Sequence, residues 1–165
     1  MLIALAALAV PTTSAVARST GESRVQALDA AVLVRINAIR AAHGLVALRP
    51  NAVLGAAAAS HSRQMLADGY FAHDSAGGAP FWRRLGSYTA SADGWSVGEN
   101  LLWSTPTVDA TRALTLWMAS AEHRRNILAA RWRDVGIAAV HADVARGTFG
   151  DRPVTVITTD FGVRD

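Results

Sequence analysis

Apolar periodicity along this chain changes once, and late. Up to about residue 130 the apolar residues recur at helical spacing or lie in loops; only then do two period-2 runs appear, at 135–140 and 154–159. A strand pattern confined to the C-terminal part does not build the βαβ units of a parallel sheet, and no internal repeat is present. The order predicts an α+β fold with helices first and a terminal antiparallel hairpin, closed by a Gly-containing turn around residues 146–152. With 165 residues, 51% of them apolar, the chain suits one domain with a substantial core. It has no cysteine, which excludes disulfides, thiolate metal sites and cysteine nucleophiles and leaves packing to stabilise the fold.

The N-terminus reads as a targeting segment. Residues 2–10 are a continuous apolar run of signal-peptide length, followed by Pro11, small polar residues and Ala15-Val16-Ala17 in an A-x-A cleavage pattern. The run is shorter than the roughly 20 apolar residues needed to span a bilayer. The expected division is a signal peptide at 1–17 and a single domain at 18–165, secreted or held at the cell surface and monomeric. The formal charge of +3 comes from 16 basic residues, all arginine, against 13 acids. They are scattered rather than gathered into a basic run with interleaved aromatics, so nucleic acid is not an expected partner and an anionic cell surface is a more natural one.

Ser19-Thr20-Gly21-Glu22 has capping-box spacing and predicts the start of a helix with Val25, Leu28, Val32, Ile36 and Ile39 on one face. Gly44 closes it, with His43 in the last turn. A second helix is expected over 52–67, entered at Pro50-Asn51 and closed by Asp68-Gly69, with Leu54, Ala58, His61 and Met65 sharing a face. His61 at such a position reads as a core histidine. Residues 74–97 read as a Gly-, Ser- and Ala-rich loop broken by a short helix at 80–85. Thr105-Pro106 reads as a cap with proline at the first helical position, and Ser120 as the cap of a last short helix.

Two histidines and a glutamate stand out in three stretches: Phe71-Ala72-His73, Gly98-Glu99-Asn100 and residues 117–128, which include Ser120, Glu122, His123 and Asn126. His73 and Glu99 lie beside apolar residues rather than in a charge run. Imidazole and carboxylate bind divalent metals or move protons, so a site is the first expectation. Trp117 and Trp132 read as core aromatics and Asn100 as a loop hydrogen-bonder. Trp82, Trp95 and Trp103 read as buried under the long loop, with a sugar- or lipid-contacting groove as the alternative.

Taken in order, these motifs resemble the CAP superfamily of cysteine-rich secretory, antigen 5 and pathogenesis-related 1 proteins, most of all its cysteine-free bacterial SCP-like branch. The resemblance runs from about Ala30 to Gly162. It is carried by Ile36-Asn37-Ala38-Ile39-Arg40, His43-Gly44-Leu45, residues 61–65, Phe71-Ala72-His73, Gly98-Glu99-Asn100, residues 117–128, Val135-Gly136-Ile137-Ala138 and Asp160-Phe161-Gly162. It implies a three-layer α-β-α sandwich around a central antiparallel sheet, with a cleft of two histidines and two glutamates in many relatives. His73, Glu99 and His123 match three of those positions; the second glutamate falls on Ser120.

The expected function is that of a binding or interaction module. His73, Glu99 and His123 would form the ligand set of an open site for zinc or another divalent cation, or the cleft would take a small-molecule, lipid or cell-surface ligand. One alternative is an extracellular hydrolase of peptide or cell-wall material, with Ser120 as nucleophile, His123 as base and Glu99 as orienter. No G-x-S-x-G turn supports it. The other alternative is structural: a buried Glu99 holding a loop, with His73 and His123 as its partners.

Overall fold

The computed structural model describes residues 13–165, with side chains from residue 25 onward. The apolar run at 2–10 lies outside the described residues. Helix α1 spans Thr13–Ala42 and therefore starts before the Ser19 capping box; residues 13–18 contain no Gly or Pro to stop a helix. Its predicted stripe faces the core, with Val32 and Ile36 fully buried and Val25, Leu28 and Ile39 packed beside them. Gly44, at φ +69°, ends it: the Leu45 N–H reaches back to the Arg40 carbonyl, and His43 Nδ1 lies 2.8 Å from the Ile39 carbonyl. Arg40 is fully buried. Its guanidinium donates to the carbonyls of Val46, Ile127 and Ala129 at 2.8–3.0 Å, which ties α1 to the turn that follows it and to the distant end of α5.

A two-residue strand, β1 (Arg49–Pro50), leads into α2 (Ala52–Asp68). Asn51 caps α2 by accepting from the Val53 and Leu54 N–H groups, and Gly69 closes it in a left-handed conformation. The buried face is the one predicted: Leu54, Ala58, His61 and Met65, joined by Ser62. A 3-10 turn at Phe81–Leu85 and the short α3 (Gly86–Thr89) follow.

Trp95–Ser104, read as loop and motif, is strand β2. Its centre, Gly98-Glu99-Asn100, holds strand-poor residues with no apolar alternation, because both faces of the strand are covered and its polar side chains are used inside the fold. The following helix, α4 (Ala110–Ala119), begins four residues after Pro106, because the Asp109 carboxylate caps it by accepting from the Arg112 N–H at 2.8 Å. Helix α5 (Ala121–Ile127) has Ser120 at its N-cap position in an extended conformation, but the hydroxyl makes no capping hydrogen bond. The predicted hairpin is present and longer than its apolar runs, as β3 (Asp134–Ala145) and β4 (Arg152–Arg164).

The sheet order is β1-β3-β4-β2, with β4 antiparallel to both β3 and β2, and β1 a short parallel addition to β3. Helix α2 covers one face. On the other, α1, α4 and α5 enclose a core with Trp117, Trp132, Val135, Ile157 and Phe161. This is the expected α+β, three-layer α-β-α arrangement. Gly136 sets how closely α2 seats, since a Cβ there would lie 2.1 Å from the Leu54 carbonyl carbon. Gly136→Ala is expected to cost about 3 kcal/mol, read as a lower urea midpoint. Gly55→Ala, whose methyl meets nothing within 4 Å, should be neutral or stabilising by up to about 1 kcal/mol.

Candidate functional site

The site is built around Glu99, in the buried middle of the edge strand β2. Its Oε1 lies 2.7 Å from His73 Nδ1 and its Oε2 lies 2.5 Å from Arg84 Nη2. The carboxylate is 1% exposed and the His73 imidazole 53% exposed, so the pair runs from the interior to the surface. Arg84, from the 3-10 turn, also donates through Nη1 to the His73 carbonyl at 2.7 Å and the Ser75 hydroxyl at 3.4 Å. The same guanidinium therefore holds Glu99 and the backbone that carries His73. Nothing in the sequence distinguishes Arg84 from its neighbour Arg83, and its role was not legible there.

His61 supports the same backbone from below. It is fully buried, and its Nε2 is 3.0 Å from the Ala72 carbonyl, which makes Nε2 the protonated nitrogen. Burial pushes its pKa down, so it stays neutral, as a core histidine should. Opposite Glu99 in the β2–β4 register lies Asp160. This carboxyl group is fully buried and neither oxygen has a hydrogen-bond partner. Burial and then the negative charge of Glu99 hold its pKa well above the usual carboxylate range, so it is a neutral acid. Asp160 belongs to a motif noted in the sequence, but only the strand register puts it beside Glu99.

The other face of β2 positions His123. Asn100 donates to the His123 carbonyl at 3.1 Å, and Asn126 donates to the Glu99 carbonyl and to Asn100 Oδ1, both at 3.0 Å. Trp132 Nε1 donates to the Asn126 carbonyl at 3.0 Å. A Cβ at Gly98 would lie 2.9 Å from the Trp132 ring, so glycine lets the indole close over the strand. The His123 ring is half-buried; burial first, and then the nearby charge of His73, lowers its pKa. The hydrogen bond to Glu99 raises that of His73.

Of the sequence candidates, His73 and Glu99 are in direct contact and His123 approaches from the opposite face. Glu99 has both oxygens engaged, and no three His, Cys, Asp or Glu side chains among the described residues are placed to share one ion. Glu122 is exposed. An apolar groove of about 340 Å³, lined in part by Leu33, Pro50, Val135 and Ile137, lies towards the opposite edge of the sheet.

The sequence profile of the cysteine-rich secretory protein family, CAP, matches residues 33–156. The chain belongs to the CAP family. No curated protein is significantly similar to this CAP chain in sequence. Among solved structures, an extracellular SCP-domain protein from Bacillus anthracis superposes with a TM-score of 0.66 at 24% identity, over 95% of this chain and 45% of that one. An outer surface protein from Borrelia burgdorferi gives 0.65 at 16% identity, over 81% and 90%. A cysteine-rich secretory protein from Staphylococcus aureus gives 0.61 at 15%, over 83% and 38%. The CAP chain thus spans less than half the length of the first and third. Among the described residues no helix is long and apolar enough to cross a membrane.

The opposite pKa shifts make the two imidazoles separable. An NMR titration is expected to show His73 with a midpoint above the ordinary value of about 6.5 and His123 with one below it. Glu99→Gln should lower the His73 midpoint. The His73–Glu99 pair contributes stability fully below the unfolded value, and that contribution fades as pH rises through the folded one.

Proposed function

We propose that this chain is an exported, non-enzymatic CAP module that binds a divalent cation, zinc in the first instance, between His73 and His123. The observation that carries this reading is the 2.7 Å contact between His73 Nδ1 and Glu99 Oε1. A histidine that donates one ring N–H to a carboxylate offers the other nitrogen as a lone pair, and metal-binding imidazoles are commonly held by such a carboxylate. In this reading the two imidazoles are the ligands, and Glu99 orients His73 from outside the coordination shell rather than serving as the third ligand. The lowered pKa of His123 supports the same role, because a ligand imidazole must be neutral. The bound ion would supply a fixed positive charge and Lewis acidity at the surface end of the cleft.

Export is supported by the apolar segment at 2–10 and by structural relatives described as extracellular or outer-surface proteins. The hydrolase reading has less support. Glu99 holds His73 rather than His123, and Ser120 and His123 share no hydrogen bond among the described residues. The structural reading is favoured by one observation, the engagement of both Glu99 oxygens. It differs in its consequence: a purely structural cluster binds no ion.

Isothermal titration with zinc separates these readings. One saturable site is expected in the wild type, absent in His73→Ala and in His123→Ala, and weakened about 10- to 100-fold in Glu99→Gln. Affinity should fall on acidification through the His73 pKa, as protons compete for its Nε2. No heat of binding in the wild type, with loss of cooperative unfolding in His73→Ala, would support the structural reading.

A further inference from the structure

Six large apolar side chains are strongly exposed among the described residues, and four of them are separate valines. The other two are Trp82 and Trp95, 44% and 45% exposed, with ring centroids 6.4 Å apart and planes inclined at 35°. The sequence had suggested that they lie buried under the 74–97 loop. Instead that loop places them side by side at the surface. Both are rigidly mounted. Trp82 sits in the 3-10 turn whose Arg84 is clamped by Glu99, and Trp95 opens β2, paired in register with Arg164.

Charges of both signs border the rings. The Arg83 guanidinium lies 5.7 Å from the centre of the Trp82 ring. Arg164 lies over the Tyr88 ring and donates to the Tyr88 carbonyl at 3.0 Å. The Asp165 N–H donates to the Gly94 carbonyl at 3.0 Å, and its carboxylate occupies the space a Cβ on Gly94 would need, 2.8 Å away. The patch thus combines two aromatic faces with charge-assisted donors and an acceptor.

We infer that Trp82 and Trp95 form a stacking platform for the pyranose rings of a bacterial cell-wall glycan. A pyranose presents a face of C–H bonds, which carry partial positive charge and suit the negative face of an indole. Its hydroxyl and amide groups lie around the ring edge and require donors and acceptors together, which Arg83, Arg164 and Asp165 supply. An anionic membrane would favour charge of one sign, and the Asp165 carboxylate opposes it. The wall is the glycan within reach of a protein whose structural relatives are extracellular or outer-surface proteins of bacteria. This site is separate from the two imidazoles and does not depend on the ion proposed for them.

Co-sedimentation of the purified protein with washed peptidoglycan sacculi tests the inference, with phosphatidylglycerol vesicles as a parallel arm. The expected result is saturable binding to sacculi that is competed by soluble N-acetylglucosamine oligomers. Affinity should weaken at least tenfold in Trp82→Ala or Trp95→Ala and be partly restored in Trp82→Phe or Trp95→Phe, with unchanged far-UV circular dichroism. His123→Ala should bind sacculi as the wild type does, even if zinc binding fails. Absence of sedimentation, full retention in the Trp82→Ala/Trp95→Ala double variant, or tryptophan-dependent binding to the vesicles instead would overturn it.

Discussion

A carboxylate at 1% exposure is the constraint on which this structure turns. Burying an ionised carboxylate without partners is prohibitive, so the chain must bring compensation to the middle of β2. Arg84 provides the opposite charge and His73 a ring N–H donor. Each comes from the 69–94 region, which is also anchored by buried Leu85 and Tyr88 and by His61 on the Ala72 carbonyl. The carboxylate adds a charged clamp at the point where this region presents His73 at the surface. The neutral acid Asp160 beside it follows from the same cause, since two adjacent buried carboxyl groups do not both hold a charge.

The edge strand works on both of its faces. Towards α2 it carries Glu99; towards α5 it carries Asn100, whose amide, with Asn126 and Trp132, ties α5 and His123 to the sheet. Gly98 is the small residue that lets Trp132 close over this junction. Two imidazoles from segments fifty residues apart in sequence are thus referred to one strand. The CAP fold supplies the scaffold, while the chemistry depends on what each face of β2 holds in place.

Much of this was legible in the sequence, and where it was not, the reason is physical. The α1 stripe, the α2 face, the final hairpin and the family likeness rest on strong periodicity or on ordered motifs, and the structure agrees with each. Strand β2 was missed because the residues that make it functional, Gly98, Glu99 and Asn100, are those that erase a strand's alternation. The start of α4 was misplaced because a Thr-Pro pair resembles a helix entry, while the Asp109 carboxylate makes the actual cap. Arg84 and Asp160 could not be assigned from one chain, since their roles arise only from contacts across the fold. The tryptophans divide along similar lines: Trp117 and Trp132 lie in helix-packed core, but Trp82 and Trp95 sit where no periodicity predicts burial.

The central claim is that Glu99 fixes both the tautomer and the orientation of His73. Long-range ¹H–¹⁵N correlation NMR of the His73 imidazole, recorded above its pKa, reads this directly. The account predicts a proton on Nδ1 and a bare Nε2, with a zinc-induced shift confined to Nε2. A proton on Nε2 with Nδ1 bare would contradict it, because Glu99 would then have no donor in His73 and the exposed nitrogen no lone pair to offer.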